Sequence, residues 1–258
     1  MAQYIQSREN ENIKYASRLF KSPAFRAQEG LFAAEGVKLC RDLAEVQKPK
    51  YVFYTEKVYE EYPFAAYAES VCEKSFKVTE SVMQRLSDVQ TPQGICCVFD
   101  MPENTAPESE YQRLLALDCV QDPANVGAAI RSAAAFGWDC VILGPGCADA
   151  YSPKALRAGM SSTLKIPVIK TDNLPKTLER LSENGTICAA ARLEESESIE
   201  DTKFGGALCL VIGSEGRGVG EETAAVCRKS VRIPISPRME SLNAAVAAGV
   251  LMWHYRKK

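Results

Sequence analysis

The chain has 258 residues, 46% hydrophobic and 25% charged, with a formal net charge of −2. These values describe an ordinary globular protein with a sizeable core, as one large domain or two modest ones, and the slightly acidic balance argues against a uniformly basic nucleic-acid binder. Residues 1–20 hold no apolar signal core, and the longest apolar run, residues 244–253, is too short to span a bilayer, so a soluble, cytoplasmic protein is expected and a membrane partner is not.

Residues 8–20 read as a helix that keeps Ile13, Ala16, Leu19 and Phe20 near one stripe. GLFAAEG (30–36) reads as a short strand, and the helix that follows sets Val37, Cys40, Leu43 and Ala44 at helical spacing. KYVFYT (50–55) is a strand rich in aromatic and branched residues. FKVTESVMQRLSD (76–88) reads as strand, cap and short helix, and GICCVFD (94–100) closes the region as a strand. Residues 101–110, MPENTAPESE, lack apolar periodicity and carry two prolines, the mark of a linker. The sequence therefore divides into an N-terminal domain over 1–100, a linker over 101–111 and a C-terminal domain over 112–258.

In the C-terminal region, strands at 114–120, 139–144, 166–170, 186–192, 207–213 and 230–235 alternate with helices at 126–136, 153–160, 173–183, 221–228 and 242–256. This alternation predicts an α/β domain with a mostly parallel sheet covered on both faces. Ligands in such sheets sit at the carboxyl ends of strands, and the unusual residues follow strands 114–120, 207–212 and 231–235.

The ten cysteines lie mostly within apolar runs, no C-x-x-C occurs, and His254 is the single histidine. Buried, reduced thiols are expected and a metal site is not. Charge is unevenly spread. Residues 151–170 hold Lys154, Arg157, Lys165 and Lys170 with no acid, and residues 228–258 hold seven Lys or Arg against Glu240 alone. That pattern suits either a basic face on an acidic body or an ordinary solvated surface.

Three clusters could carry chemistry. DPANVGAAIRSAAAFG (122–137) places Asn125 to cap a helix starting at Val126, and sets Arg131 among the small residues Gly127, Ala128 and Ala135, open to a bulky anionic partner. LVIGSEGRGVG (210–220) has the glycines of a phosphate cradle, but Glu215 at its centre opposes an anion. Only 45 residues follow Gly213, too few for a dinucleotide-binding half. In RIPISPRMESLNAAVAAGVLMWHY (232–255), Pro234 and Pro237 bound an irregular loop and Ser241 or Asn243 can cap the last helix. Leu242, Val246, Val250 and Trp253 make that helix's apolar stripe, while Ala244, Ala245, Ala247, Ala248 and Gly249 make an unusually small surface that another helix or backbone can approach closely. A Ser-His-Asp triad and a Walker loop lack candidates.

In this order and spacing, DPANVGAAIRSAAAFG, LVIGSEGRGV and IPISPRMESLNAAVAAGV resemble the three motifs of the SpoU (TrmH-like) RNA 2′-O-ribose methyltransferases of the SPOUT superfamily. YSPKALRAGMSST (151–163) is similar to the family's intermediate segment, while FAAEGVKLCRDL and TPQGICCVF more loosely resemble its small substrate-binding domain, itself similar to ribosomal protein L30e. Ala244 and Ala245 depart from relatives, which often carry larger or hydroxylated residues there. The resemblance implies an α/β fold whose C-terminal segment is threaded as a trefoil knot, preceded by an L30e-like domain. It implies S-adenosylmethionine (SAM) as cofactor, cationic at sulfur and without phosphate, so Glu215 is no obstacle. By position, Gly213, Ile233 and Leu242 would line the SAM site. Asn125, Arg131, Glu215, Ser241 and Asn243 would form the polar catalytic set, Asn125 holding Arg131 or the ribose. The implied reaction is methyl transfer to a ribose 2′-hydroxyl, in ribosomal RNA ahead of transfer RNA, by a homodimer formed through the catalytic domain and without a metal. A base-nitrogen methyltransferase of the same superfamily, a non-catalytic RNA-binding module of the same fold and a nucleotide-binding oxidoreductase are the alternatives.

Overall fold

A computed structural model describes residues 2–87, 89–103, 105 and 110–257. Within the expected linker, residues 104 and 106–109 lie outside the described residues, as does Asp88 at the end of the helix expected after Thr79. The chain divides by contacts into two compact units, Met1–Glu103 with Tyr151–Leu164, and Asn104–Ala150 with Lys165–Lys258.

The first unit begins with β1 (Gln3–Ile5), α1 (Glu11–Lys21), α2 (Pro23–Glu29), β2 (Leu31–Glu35), α3 (Val37–Ala44), β3 (Tyr51–Tyr54), α4 (Glu56–Glu61), α5 (Pro63–Val71), β4 (Lys74–Val78), α6 (Glu80–Leu86) and β5 (Ile95–Asp100). Its sheet runs β1-β4-β3-β5-β2, with β5 antiparallel to both neighbours and the other pairs parallel. Helix starts follow side-chain chemistry. The side chains of Asn10, Ser22 and Thr79 each accept a backbone N–H of the helix they precede, and Pro23 occupies the first turn of α2. Ile13, Ala16, Leu19 and Phe20 are buried, as the α1 periodicity requires, and pack with Phe25, Phe53, Phe76 and Met83. The sequence reading has no counterpart for β1, α2, α4 and α5. β1 is three residues long, and α5 buries only Ala65 and Ala68, so no stripe of large residues marks it.

The chain continues through β6 (Arg113–Asp118), α7 (Pro123–Ala135) and β7 (Cys140–Leu143), then α8 (Pro153–Gly159) and α9 (Ser162–Lys165). Residues 151–164 belong by their contacts to the first unit, whereas the sequence reading put them in the C-terminal domain. Tyr151 and Phe32 of β2 are both buried, their ring centroids 5.1 Å apart, a long-range contact that local pattern does not reveal.

The second unit adds β8 (Val168–Lys170), α10 (Leu174–Glu183), β9 (Ile187–Ala191), β10 (Glu197–Ser198), β11 (Leu208–Gly213), α11 (Glu221–Ala225), β12 (Lys229–Arg232) and α12 (Ala244–His254). Its seven-stranded sheet, β10-β12-β9-β11-β6-β7-β8, is parallel throughout, as the alternating pattern predicts. Side chains alternate along each strand. Leu114, Ala116, Cys188, Ala190, Cys209 and Val211 join Leu174, Leu178 and Leu181 of α10 in one core layer. Their neighbours Leu115, Leu117, Leu210 and Ile212 are also buried, so both faces are covered. Burial pushes the Cys140 and Cys227 thiols up to about 12, which keeps them protonated.

The last helix differs from expectation. Its buried residues are Ala244, Ala248, Leu251 and Met252, whereas Val246, Val250 and Trp253 are 52%, 38% and 53% exposed. α12 packs on α7 and β11. α7 is itself rich in Ala, and a Cβ added at Gly249 would come within 3.8 Å of Ser132 Oγ. Close approach of two helices suits the small face, so Val246, Val250 and Trp253 point away, while Leu251 and Met252 are buried with the small residues. The Trp138 indole N–H donates to Met252 O, and Arg113 Nε donates to Tyr255 O, which fixes the end of α12. Among the described residues no helix is long and apolar enough to cross a membrane.

Candidate active site

β6 and β11 are adjacent, and Asp118 and Gly213, at their carboxyl ends, are register partners. β7 and β8 extend the sheet on one side of this pair, and β9, β12 and β10 on the other. The sequence direction of the strands reverses here, the place where open parallel sheets bind ligands.

Beyond β6 the chain turns through Cys119, at φ 56°, to Asp122. Asp122, not Asn125, caps α7: its Oδ1 accepts the N–H of Ala124, and Pro123 takes the first helical position. A proline there is pre-set for helix and has no N–H to satisfy, so the helix starts earlier than expected. Asn125 is thereby freed to point its amide elsewhere. Its Nδ2 donates to Glu215 Oε1 on the glycine loop, and its Oδ1 accepts from Asn243 Nδ2 at 3.0 Å. Asn243 in turn caps α12, its Oδ1 accepting the N–H groups of Ala245 and Val246 at 3.0 and 3.2 Å. One polar chain thus connects the α12 amides, Asn243, Asn125 and Glu215, drawing one residue from each motif.

The glycine loop folds tightly. Ser214 and Gly218 exchange backbone hydrogen bonds of 3.1 and 2.9 Å, with Gly218 at φ 64°. A Cβ at Gly213 would collide with the Gly218 carbonyl and the Val219 amide, so only glycine fits there. Asp118 Oδ2 takes the N–H of Gly220 at 2.9 Å. These amides are already paired within the protein, which is why the loop is not a phosphate cradle.

A cavity of about 480 Å³ opens beside this loop. It is lined by the ends of β9, β11 and β12 and by the segment leading into α12. Gly213, Glu215, Ile233, Ser241 and Leu242 all line it. Ile212, Ile235 and Leu251 add apolar wall, and the backbone of Gly213 and Gly218 adds a polar edge. Asn125 and Asn243 stand behind Glu215 through their hydrogen bonds. Arg131 is exposed on α7, with no hydrogen bond or ion pair to this group among the described residues. It lies six residues beyond Asn125, about 9 Å along a helix axis and on another face. Asn125 therefore holds Glu215 and Asn243 rather than Arg131.

The lining also includes Ala191–Glu194, after β9, and Arg217, which sequence reasoning missed. β9 sits between β11 and β12 only through non-local pairing, for which the sequence holds no motif. Four carboxylates (Glu194, Glu215, Glu221 and Glu240) face three guanidiniums (Arg192, Arg217 and Arg232) around the cavity. Arg192 pairs with Glu221 at 3.3 Å, and Arg232 donates to the Ser196 carbonyl. The lining carries no excess of positive charge, so it suits a ligand without phosphate. Its volume lies in the range of small-molecule sites, and its apolar wall with a backbone edge suits a nucleoside. These features fit SAM, and Gly213, Ile233 and Leu242 are all among the lining.

Comparisons with known proteins bear on the same residues. The family model described as "SpoU rRNA Methylase family" matches residues 112–253, and an "MRM3-like substrate binding domain" matches residues 10–97. The 23S rRNA (guanosine(2553)-2′-O)-methyltransferase RlmP of Bacillus subtilis is 34% identical over 181 residues, covering 70% of this chain and 72% of its own. A solved structure of a TrmH-family protein from Porphyromonas gingivalis superimposes with a TM-score of 0.80 at 32% identity, covering 96% of this chain and 98% of its own. The AdoMet-bound rRNA methyltransferase from Sinorhizobium meliloti gives 0.83 at 26% identity, covering 98% and 97%. With two motifs lining one cavity, the third hydrogen-bonded to both, and a family model spanning the second unit's sheet, the chain belongs to the SpoU rRNA methylase family, enzymes that methylate RNA with SAM.

Proposed function

We propose that this protein transfers a methyl group from SAM to the 2′-hydroxyl of a ribose in ribosomal RNA. The observation that carries this reading is the chain from Asn243 through Asn125 to Glu215, which ties three distant motifs together beside the cavity. When bound, SAM supplies an electrophilic methyl group on a sulfonium centre. Gly213, Ile233 and Leu242 would hold it, with Glu215 and Ser241 in the same lining. Arg131 is solvent-facing and among small neighbours, so it meets the RNA from α7. It grips a phosphate next to the target ribose and stabilises negative charge developing on the 2′-oxygen. An arginine does not act as a base at neutral pH, so the hydroxyl proton passes to phosphate or water. Much of the rate comes from alignment of the two reactants.

The first unit is the L30e-like RNA-binding domain, a reading supported by the substrate-binding match over residues 10–97. The glycine loop and the 233–243 segment form the trefoil-knotted part, supported by the return of the chain from β12 to pack α12 on β11 and α7. The active form is a homodimer through the second unit. Val246, Val250 and Trp253 form an exposed apolar face on α12, with Phe136 of α7 edge-on to Trp253 at 5.5 Å, and such faces mark protein contacts. The cytoplasm suits a chain whose cysteines form no disulfide among the described residues. Mapping 2′-O-methyl groups in ribosomal RNA from cells with and without the gene tests the reading. One site that disappears with the gene is the expected result; an unchanged ribosomal map with a lost transfer-RNA site would move the substrate.

A further inference from the structure

The first unit carries a cavity of its own, about 490 Å³, between α3 and α5. α3 and its C-terminal end supply Arg41 and Glu45, and α5 with its cap supplies Tyr62, Phe64 and Tyr67. Tyr62 and Tyr67 are 38% and 48% exposed, and the rings of Phe64 and Tyr67 lie 6.3 Å apart at 39°. α5 is inverted in an informative sense. It closes the core with Ala65 and Ala68 and turns its aromatic residues outward. Leaving such rings in water forgoes the stabilisation that burial would give, so their position calls for a ligand that covers them. Arg41 is half-exposed, its Nε 3.6 Å from Asp42. The carboxylate of Glu45, one helical turn after Arg41, also belongs to the lining.

We propose that this cavity receives one unpaired base of the RNA substrate, guanine by preference; the proposal rests on the reading that the protein methylates RNA. Three aromatic rings and a guanidinium are the surfaces on which single-stranded bases stack. A lone arginine amid carboxylates is a poor phosphate site, so the base rather than the backbone is the occupant. Glu45 accepts hydrogen bonds only. Guanine presents two adjacent N–H groups on its pairing edge, which a carboxylate matches in pairs; uracil presents one. A base within a duplex has that edge occupied, so the cavity selects loops and bulges. The first unit thus contributes base recognition of its own, independent of the cavity in the second unit.

The test uses the full chain and fluorescence anisotropy with a short labelled single-stranded RNA, and with its counterpart carrying U for every G. Tyr67→Ala and Tyr62→Ala should each weaken binding of the G-containing RNA about tenfold, the effect of losing one base–aromatic stack. Tyr67→Phe should bind like the native protein, and Glu45→Gln should erase the preference for G over U. SAM binding measured by calorimetry should stay unchanged in all four variants. Native affinity in both alanine variants would overturn the proposal and leave this face to a protein partner. Failure of the native protein to bind any RNA would instead overturn the reading beneath it. Glu45→Gln preserves size, so it remains decisive even if an alanine variant unfolds, and an unchanged preference for G over U in that variant would overturn the guanine assignment.

Discussion

Asn125 uses both ends of its amide, giving a proton to Glu215 and taking one from Asn243. An aspartate would have no proton to give and would set a carboxylate against Glu215, so the amide is required chemically. If this bond couples the motifs, Asn125→Ala and Glu215→Gln should each weaken SAM binding, and the double variant should lose no more than the worse single one. The expected coupling is roughly 1 kcal/mol, reduced because Glu215 is exposed. Full additivity in the calorimetric cycle would show that the relay is ornamental. Arg131 behaves differently because it stands apart from this chain. Arg131→Ala should leave SAM affinity intact and lower turnover by 10²-fold or more, the usual loss for one donor to a developing oxyanion. Arg131→Lys keeps the charge but not the fork, so partial recovery would assign the role to charge and none to geometry.

At the scale of elements, what was legible followed local chemistry. The β-α alternation, the α1 stripe and the Asn243 cap are all written in neighbouring residues. Three features were not. The start of α7 turned on Asp122-Pro123, where a proline-led first turn outcompetes the later Asn125. The α12 apolar stripe of Val246, Val250 and Trp253 stays exposed, where the stripe rule would turn large residues to the core, while the small residues meet the Ala-rich α7 as their spacing suggests. The β9 end of the cavity depends on which strands become neighbours, a matter of non-local pairing. The glycine loop gives the sharpest element-scale prediction. Gly213→Ala forces a Cβ into the Gly218 and Val219 backbone, so the loop must shift and SAM binding should disappear, with stability falling by about 3 kcal/mol in chemical denaturation. Gly216 has open space around it, so Gly216→Ala should bind SAM normally. Equal behaviour of the two variants would mean that the loop's closure against β11 is unimportant.

For the whole molecule, the sequence placed a small domain before a larger one but did not assign residues 151–164 to the first unit. The Tyr151–Phe32 ring pair and the packing of α8 on β2 join residues far apart in the chain. The exposed face of α12 bears on assembly. Val246→Glu with Val250→Glu puts charge at the centre of that face, and in a homodimer two copies would meet as like charges. Sedimentation should then show a monomer where the native chain sediments as a dimer; a native chain that is already monomeric would contradict the assembly proposed here. The central claim is that the cavity beside Gly213 and the arginine on α7 act together on a ribose. It is tested most directly by incubating the purified protein with isotopically labelled SAM and ribosomal RNA, then digesting the RNA to nucleosides for mass spectrometry. The account predicts one labelled 2′-O-methylnucleoside, lost in Arg131→Ala; label on a base, or undiminished 2′-O-methylation by that variant, would contradict it.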